Sequence, residues 1–278
     1  MIEASWQVLA RRPNAALGVA LTTIVLAAAA IGAIYTPYDP IAVDFAQRLA
    51  PPSVVHWLGT DEWGRDVLSR VLSGAAVSVS IAASTSLLAT LTGTLVGAAA
   101  AFLGGWLDRV VVAIMDALLA FPSLIMALGV VAVCGTRSYS TLLALSFAYL
   151  PSVVRIVRAS VLSLKRKDFI DASLVMGNSA PFTLFRHVLP NTVAPVIVLA
   201  TSLFGWALLA ESALSFLGLG VQPPAASWGG MLADSRDYFA DAPWLALAPG
   251  LALSAALLGI NLVGDALQDL LDPRMKHS

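Results

Sequence analysis

Long apolar runs separated by short charged segments dominate the pattern of this chain. Seven stretches of 17 residues or more contain no Asp, Glu, Lys or Arg, namely 13–38, 71–107, 117–136, 138–154, 187–210, 212–233 and 242–264. A helix needs about 20 mainly apolar residues to cross a bilayer, and most of these stretches reach that length. The runs are rich in Leu and Ala and lack the alternation of outer-membrane strands, so the pattern predicts membrane-spanning helices.

Six spans fit this pattern, at about 15–35, 75–103, 110–134, 140–158, 191–219 and 243–264. The composition agrees, because 58% of the 278 residues are hydrophobic and only 12% are charged, against about a quarter charged in soluble domains. We therefore predict an all-α, polytopic inner-membrane protein with six transmembrane helices, and we exclude a water-soluble globule. The first run is also compatible with a signal peptide, but its length favours an uncleaved span.

The positive charges set the orientation of these spans. With Arg11 and Arg12 on the cytoplasmic side, 11 of the 16 Lys and Arg residues fall on that side and 5 fall outside, as the positive-inside rule requires. Both termini are therefore expected in the cytoplasm. Three parts follow: a first span with an external segment and its interfacial helix (1–74), a five-helix core with a cytoplasmic loop (75–264), and a cytoplasmic tail (265–278).

Two external segments are too long to be simple turns. In the first, 37–73, Thr60 is placed to cap a helix whose first turn carries Asp61 and Glu62. We expect this helix to lie at the membrane surface and to lead into the second span. The other segment, 221–243, is rich in Pro, Gly and Asp, which predicts a structured loop rather than a continuous helix.

The cytoplasmic loop at 159–191 predicts two short helices. The first runs from Asp168 to Met176, and Gly177 suits the left-handed position that follows a helix.

The second helix of this loop starts after Asn178 or Ser179, has Pro181 near its first position and ends at Pro190. Its protruding apolar tip needs a cover, either the spans of the chain itself or a partner protein. The tip consists of Phe182, Leu184 and Phe185.

This loop resembles the EAA loop of permease subunits of binding-protein-dependent ABC importers. The resemblance rests on Asp171-Ala172-Ser173, on Gly177 after three further residues, and on His187-Val188-Leu189-Pro190 after nine more. The general pattern has Glu-Ala-Ala and an Ile where this chain has Asp-Ala-Ser and His187. Three more segments, 58–70, 211–236 and 261–274, extend the resemblance over nearly the whole chain and point to the C-type permease subunit of dipeptide, oligopeptide or nickel importers.

The resemblance implies a type I ABC importer permease fold, in which this loop sits in a groove of a cytoplasmic ATPase and transmits its closure to the spans. Arg186 and the basic run 165–167 would pair with acidic ATPase residues, or the run would anchor the loop at the lipid surface. The residues assigned to coupling are Asp171, Ala172, Gly177, Phe182, Phe185, Arg186, His187, Leu189 and Pro190.

The expected partners in the lipid bilayer are a homologous second permease, which forms a heterodimer, two ATPase subunits or domains, and an extracytoplasmic substrate-binding protein. The chain has no Gly-Lys-Ser/Thr of a phosphate loop and no metal motif, so we expect it to bind no cofactor, while the partner ATPase uses ATP and Mg. It also lacks the basic stripe of a nucleic-acid-binding protein. The residues expected to dock the binding protein are Asp61, Glu62, Arg65, Asp66, Asp234 and Arg236.

Two carboxylates lie inside predicted spans, Asp116 in the third and Glu211 in the fifth. Either they line the translocation route, or they make structural contacts with neighbouring helices, or, for Asp116, the side chain lies shallow enough to reach the inner interface. Di- or oligopeptides are the preferred substrate, because a nickel route is expected to show clustered His, Met or Cys. Nickel or another small solute stays open, as does a self-sufficient secondary transporter, which would need ion relays within the spans.

Overall fold

The computed structural model describes residues 13–135 and 138–271, and within these ranges the chain is helical. The longer helices are α1 Pro13–Ile34, α2 Val67–Leu103, α3 Gly105–Leu119, α4 Ser123–Cys134, α5 Ser138–Leu164, α8 Leu189–Phe216 and α10 Trp244–Leu271. The short helices are α6 Asp168–Val175, α7 Ala180–Thr183 and α9 Trp228–Asp234, with 3-10 turns at Phe45–Gln47 and Ser235–Tyr238. No β-strand forms in the described ranges, where the pairing of Thr60 with Asp66 is an isolated antiparallel bridge.

Five continuous helical stretches in the described residues are long and apolar enough to span a membrane, and the α3–α4 pair makes a sixth if it counts as one span. The prediction of an all-α polytopic membrane protein is therefore confirmed. Arg11 and Arg12 lie outside the described residues, as does 272–278. The cytoplasmic placement of both termini stays a prediction.

The third predicted span is not straight. Residues 110–134 fall into two helices, α3 and α4, whose axes differ by 92° across a short break. Pro122 stands at the N-cap of α4 with extended backbone, and it disfavours helical backbone at Phe121. The apolar run is therefore long enough for one span, but its single proline divides it.

Helix α2 lies at the centre of the bundle and packs against α5, α8 and α1. Its small residues allow the closest of these contacts. A Cβ atom added to Gly93 would lie 2.6 Å from Val153 Cγ1, and one added to Gly97 would lie 2.7 Å from Val154 O. These glycines therefore serve helix packing within the chain, a question that the sequence leaves open.

One end of the bundle is covered by the polar cap, which we define as residues 36–66 and 217–243. The sequence places a helix start at Thr60, and this prediction is wrong: α2 begins at Val67, and Asp66 caps it by accepting a hydrogen bond from Ser69 N at 2.8 Å. Thr60 instead accepts a hydrogen bond from Ala50 N at 2.8 Å. No separate interfacial helix forms at 58–73, because residues 58–66 fold into the cap and residues 67–73 are the first turns of α2.

Candidate functional site

The turn in the 159–191 segment has the predicted geometry. Gly177 has a φ of +85°, a left-handed conformation that glycine adopts without strain. Asn178 N closes the end of α6 by donating to Ser173 O at 3.2 Å. Ser179 then caps α7 by accepting from Phe182 N, so the turn between the two helices is fixed by local hydrogen bonds.

The second helix of the segment does not end at Pro190, contrary to prediction. A π-turn over Leu184–Val188 joins α7 to α8, and Leu189 N donates to Leu184 O. Pro190 has no N–H for the helical bond to Arg186, and the wider turn absorbs this missing bond without a break. Residues Ala180–Phe216 therefore form one continuous helical stretch of 37 residues.

The segment exposes a larger apolar surface than the predicted tip. We call Val175, Met176, Phe182 and Phe185, which are 87%, 75%, 48% and 61% exposed, the apolar tip surface. Leu184 was wrongly placed in the tip, because it is buried in the core with Val188 and Ile170. The sequence analysis missed Val175 and Met176, although two apolar residues directly before a left-handed glycine are a usable signal.

The other residues assigned to coupling surround this surface. Asp171, Ala172, Arg186 and Pro190 are exposed, and His187 and Leu189 are half-buried. The His187 ring makes an edge contact with Phe182 at 5.8 Å between centroids.

Lys165, part of the basic run, is used within the chain. Its Nζ donates to Phe102 O at 2.8 Å and so satisfies a carbonyl at the C-terminal end of α2. Arg166 and Lys167 are exposed and available to a partner or to lipid.

Glu211 is fully buried between α2, α8 and the polar cap. Ser215 Oγ donates to its Oε1 at 2.8 Å and accepts from Val221 N at 3.1 Å, and Ser78 of α2 hydrogen-bonds the same carboxyl group. The side chain therefore links two helices to the chain that follows α8. This arrangement favours the structural alternative for Glu211.

Asp116 lies on α3 and faces Arg155 of α5. A single contact of 3.4 Å joins Asp116 Oδ1 and Arg155 Nη2. The sequence analysis missed a second pair between the same helices, in which Arg158 donates two hydrogen bonds to Asp108 at 2.6 and 2.7 Å. Asp116 stands in an apolar stretch of the sequence and Asp108 is followed by Arg109, so the cations that pair with the two acids are identified only when α3 and α5 are seen side by side.

The polar cap contains a cluster of buried charges. Asp61 Oδ2 accepts from Arg65 Nε at 2.6 Å and lies 3.3 Å from Arg70 Nε. Asp66, besides capping α2, lies 2.9 Å from His56 Nδ1. Asp61, Arg65 and Asp66, three of the residues predicted to dock a binding protein, are buried in this cluster, although Arg65 also lines the groove described next. Their docking role stays a prediction.

Glu62, Asp234 and Arg236, the other predicted docking residues, border an open groove of about 920 Å³ in the cap, together with Trp63 and Gln222. Burial, and then the neighbouring Asp61, raises the pKa of Glu62, and burial likewise raises the pKa of Asp234. In the described residues no group of three or more His, Cys, Asp or Glu side chains is placed to hold a metal ion.

The comparisons with known proteins agree over most of the chain. The family described as "Binding-protein-dependent transport system inner membrane component" matches residues 93–277. A Brucella suis biovar 1 protein named for a peptide transport system permease is 44% identical over 268 residues, which cover 96% of this chain and 90% of that protein. A dipeptide transport system permease protein of Alkalihalophilus pseudofirmus is 39% identical, covering 94% and 86%, and a glutathione transport system permease protein of Pectobacterium atrosepticum is 37% identical, covering 95% and 89%.

Proposed function

Since the chain belongs to the family of binding-protein-dependent transport system inner membrane components, it is a permease subunit of an ABC importer, and we propose that it passes di- or oligopeptides. Relatives named for peptide, dipeptide and glutathione transport support this cargo, because glutathione is itself a modified tripeptide. Nickel or another small solute is the alternative, and no observation in the described residues favours it.

The apolar tip surface carries the mechanistic part of the proposal. An exposed apolar surface of this kind, in a segment outside the spans, is typical of a protein contact, and we assign it to a groove of the partner ATPase, which uses ATP and Mg. Phe182 and Phe185 of this surface belong to the helical stretch Ala180–Phe216, which continues into α8 without a break. Movement of the ATPase would therefore reach the spans through a continuous helix and switch access from one side to the other.

The remaining proposed partners are a substrate-binding protein and a second permease. A substrate-binding protein would dock on the groove of the polar cap, which Glu62, Asp234 and Arg236 line. A homologous second permease would complete the route as a heterodimer. The assembly would lie in the cytoplasmic membrane of a bacterium or archaeon, with the 159–191 segment and both termini in the cytoplasm.

The test is import by the reconstituted assembly. The chain is co-expressed with its companion permease, ATPase and binding protein, and uptake of radiolabelled alanyl-alanine into proteoliposomes is measured with and without ATP. We expect uptake that needs ATP and the binding protein. Uptake by the chain alone without ATP would overturn the importer assignment, and ATP-dependent uptake of Ni²⁺ but not of peptide would overturn the cargo.

Phe185→Asp examines the role of the tip surface in the same assay. Phe185 is largely exposed, so the substitution should leave the fold intact while it prevents docking of the ATPase. We expect the ATPase to be lost from the purified assembly. Full retention of the ATPase together with normal uptake would contradict the coupling assignment.

A further inference from the structure

Two ion pairs join α3 to α5, and they differ in how completely they are formed. Arg158 donates two short hydrogen bonds to Asp108, and the two side chains are only 30% and 20% exposed. Asp116 and Arg155 make one contact of 3.4 Å, and their side chains are 52% and 68% exposed. Asp116 and Arg155 therefore keep most of their hydrogen-bonding capacity free.

The open pair stands where free charge is costly. Arg155 lies on α5, a helix long and apolar enough to span the membrane, nine residues or about 14 Å from its end at Leu164, and Asp116 lies beside it on α3, the first half of the bent α3–α4 pair. Charged groups at such depth face water or protein rather than lipid. A pocket of about 100 Å³ adjoins the pair and is lined on its other sides by Val112, Met115 and Val154, and by Arg158, whose guanidinium is held by Asp108.

We propose that Asp116 and Arg155 form a subsite on the translocation route that binds the two charged ends of a peptide in transit. This inference rests on the proposed peptide cargo. A peptide carries one ammonium and one carboxylate group. The ammonium can donate hydrogen bonds to the Asp116 carboxylate, and the guanidinium of Arg155 can donate two parallel hydrogen bonds to the peptide carboxylate.

The loose geometry of the pair suits a transient site. Opening it breaks one long contact, and the pair closes again when the peptide leaves. The pocket is smaller than the roughly 300 Å³ of ordinary ligand sites. It therefore accommodates the charged end groups, while the rest of the peptide stays outside the pocket. A route also requires binding weak enough for release.

The competing explanation is that the pair only clamps α3 to α5. The subsite and the clamp are distinguished by three variants, Asp116→Asn, Arg155→Gln and the double variant. Alanyl-alanine uptake and ATPase activity are measured for each in the reconstituted importer. For a subsite, each single variant lowers uptake at least about fivefold while ATPase activity stays within about twofold, and the double variant is no better than either single variant. For a clamp, the double variant recovers toward wild type, because it leaves no unpaired charge.

Two control variants show how thermal stability and uptake respond when other charges of α3 are removed. Asp108→Asn breaks the closed pair and should lower the thermal stability of the assembly, whereas Arg109→Gln removes an exposed charge from the same helix and should leave uptake unchanged. Recovery in the double variant, or normal uptake in both single variants, overturns the subsite. If wild type itself imports no peptide, it is the proposed cargo that fails.

Discussion

The two ends of the molecule treat their polar and apolar residues in opposite ways. In the polar cap, charged side chains turn inward and form ion pairs: Asp61 pairs with Arg65 of the cap and with Arg70 of α2. In the 159–191 segment, Phe185 and Met176 turn outward. The cap thus pairs its buried charges within the chain, although it also exposes apolar side chains such as Val54 and Trp57. The described residues of the 159–191 segment form no such buried charge cluster, and the segment exposes an apolar surface that another protein can cover.

The connections of the two ends to the spans differ in the same way. The cap is tied to α2 and α10 across the sequence, with Trp228 Nε1 donating to Val71 O at 3.1 Å and Trp244 Nε1 donating to Thr60 O at 3.2 Å. The turn of the 159–191 segment is held by local contacts such as that between the Ser173 and Thr183 hydroxyls at 3.0 Å. Long-range hydrogen bonds at one end and local ones at the other suit a permease in which the proposed ATPase contact moves the 159–191 segment while the cap stays in place.

Removal of the central acid of the cap should have the largest effect. Asp61→Ala leaves the guanidinium groups of Arg65 and Arg70 buried without the carboxylate that they share. Breaking a buried ion pair in this way lowers the stability of the fold by about 3–5 kcal/mol. Thermal unfolding of the purified assembly in detergent measures this loss. Asp241→Ala is the matched control, because Asp241 is exposed in the same cap and should change stability by no more than about 0.5 kcal/mol. Equal melting of the two variants would show that the buried pairs do not hold the cap together.

The 159–191 segment allows a comparison between two neighbouring apolar residues. Leu184→Ala removes a buried side chain from the core and should cost about 2–4 kcal/mol of stability. Phe185→Ala removes an exposed one and should change stability by less than about 0.5 kcal/mol while it weakens ATPase binding. Melting curves and ATPase pull-down, measured on both variants, separate the two roles. A large stability loss in Phe185→Ala would mean that the tip surface packs on this chain.

The difference between these two neighbours also marks what the sequence predicts and what it does not. Apolar length locates the spans, and turn chemistry locates Gly177 and Ser179, because both signals are local. The sequence does not reveal that Leu184 is buried while Phe185 is exposed. The π-turn that Pro190 imposes shifts the helix face, and the core that receives Leu184 is built by distant helices.

The polar cap was harder to predict for the same reason. Thr60 followed by Asp61 and Glu62 is a valid helix start by local rules. The structure overrides it, because Asp61 accepts from Trp63 N and Arg65 N within a tight turn and also pairs with Arg70. Exposure of the docking residues likewise depended on packing that no local pattern reports.

Substitution of Gly177, at the turn of the 159–191 segment, should have an intermediate effect on stability. A Cβ atom at this position would meet no atom within 4 Å, so a substitution there acts only through the positive φ. Gly177→Ala should cost about 1–2 kcal/mol, and Gly177→Asn should cost less, because Asn tolerates the left-handed conformation. Melting temperature and peptide uptake are measured together. Equal losses for the two variants would show that backbone conformation is not what this turn requires.

The smallest expected effect is a pH dependence in the polar cap. Burial and the neighbouring Asp61 raise the pKa of Glu62, while Asp234 raises it further and Arg65 opposes the shift. The folded protein therefore holds the Glu62 proton more tightly than the unfolded chain does, and its contribution to stability falls as pH rises from the unfolded value, about 4.3, through the folded pKa. Glu62→Gln removes this contribution. The Tm of the variant should therefore rise relative to that of wild type across that pH range, by no more than about 2 °C. Melting curves of both proteins from acidic to neutral pH measure the difference. A variant that becomes less stable relative to wild type as pH rises would mean that the ion pair with Arg65 outweighs the cost of burying the Glu62 carboxylate.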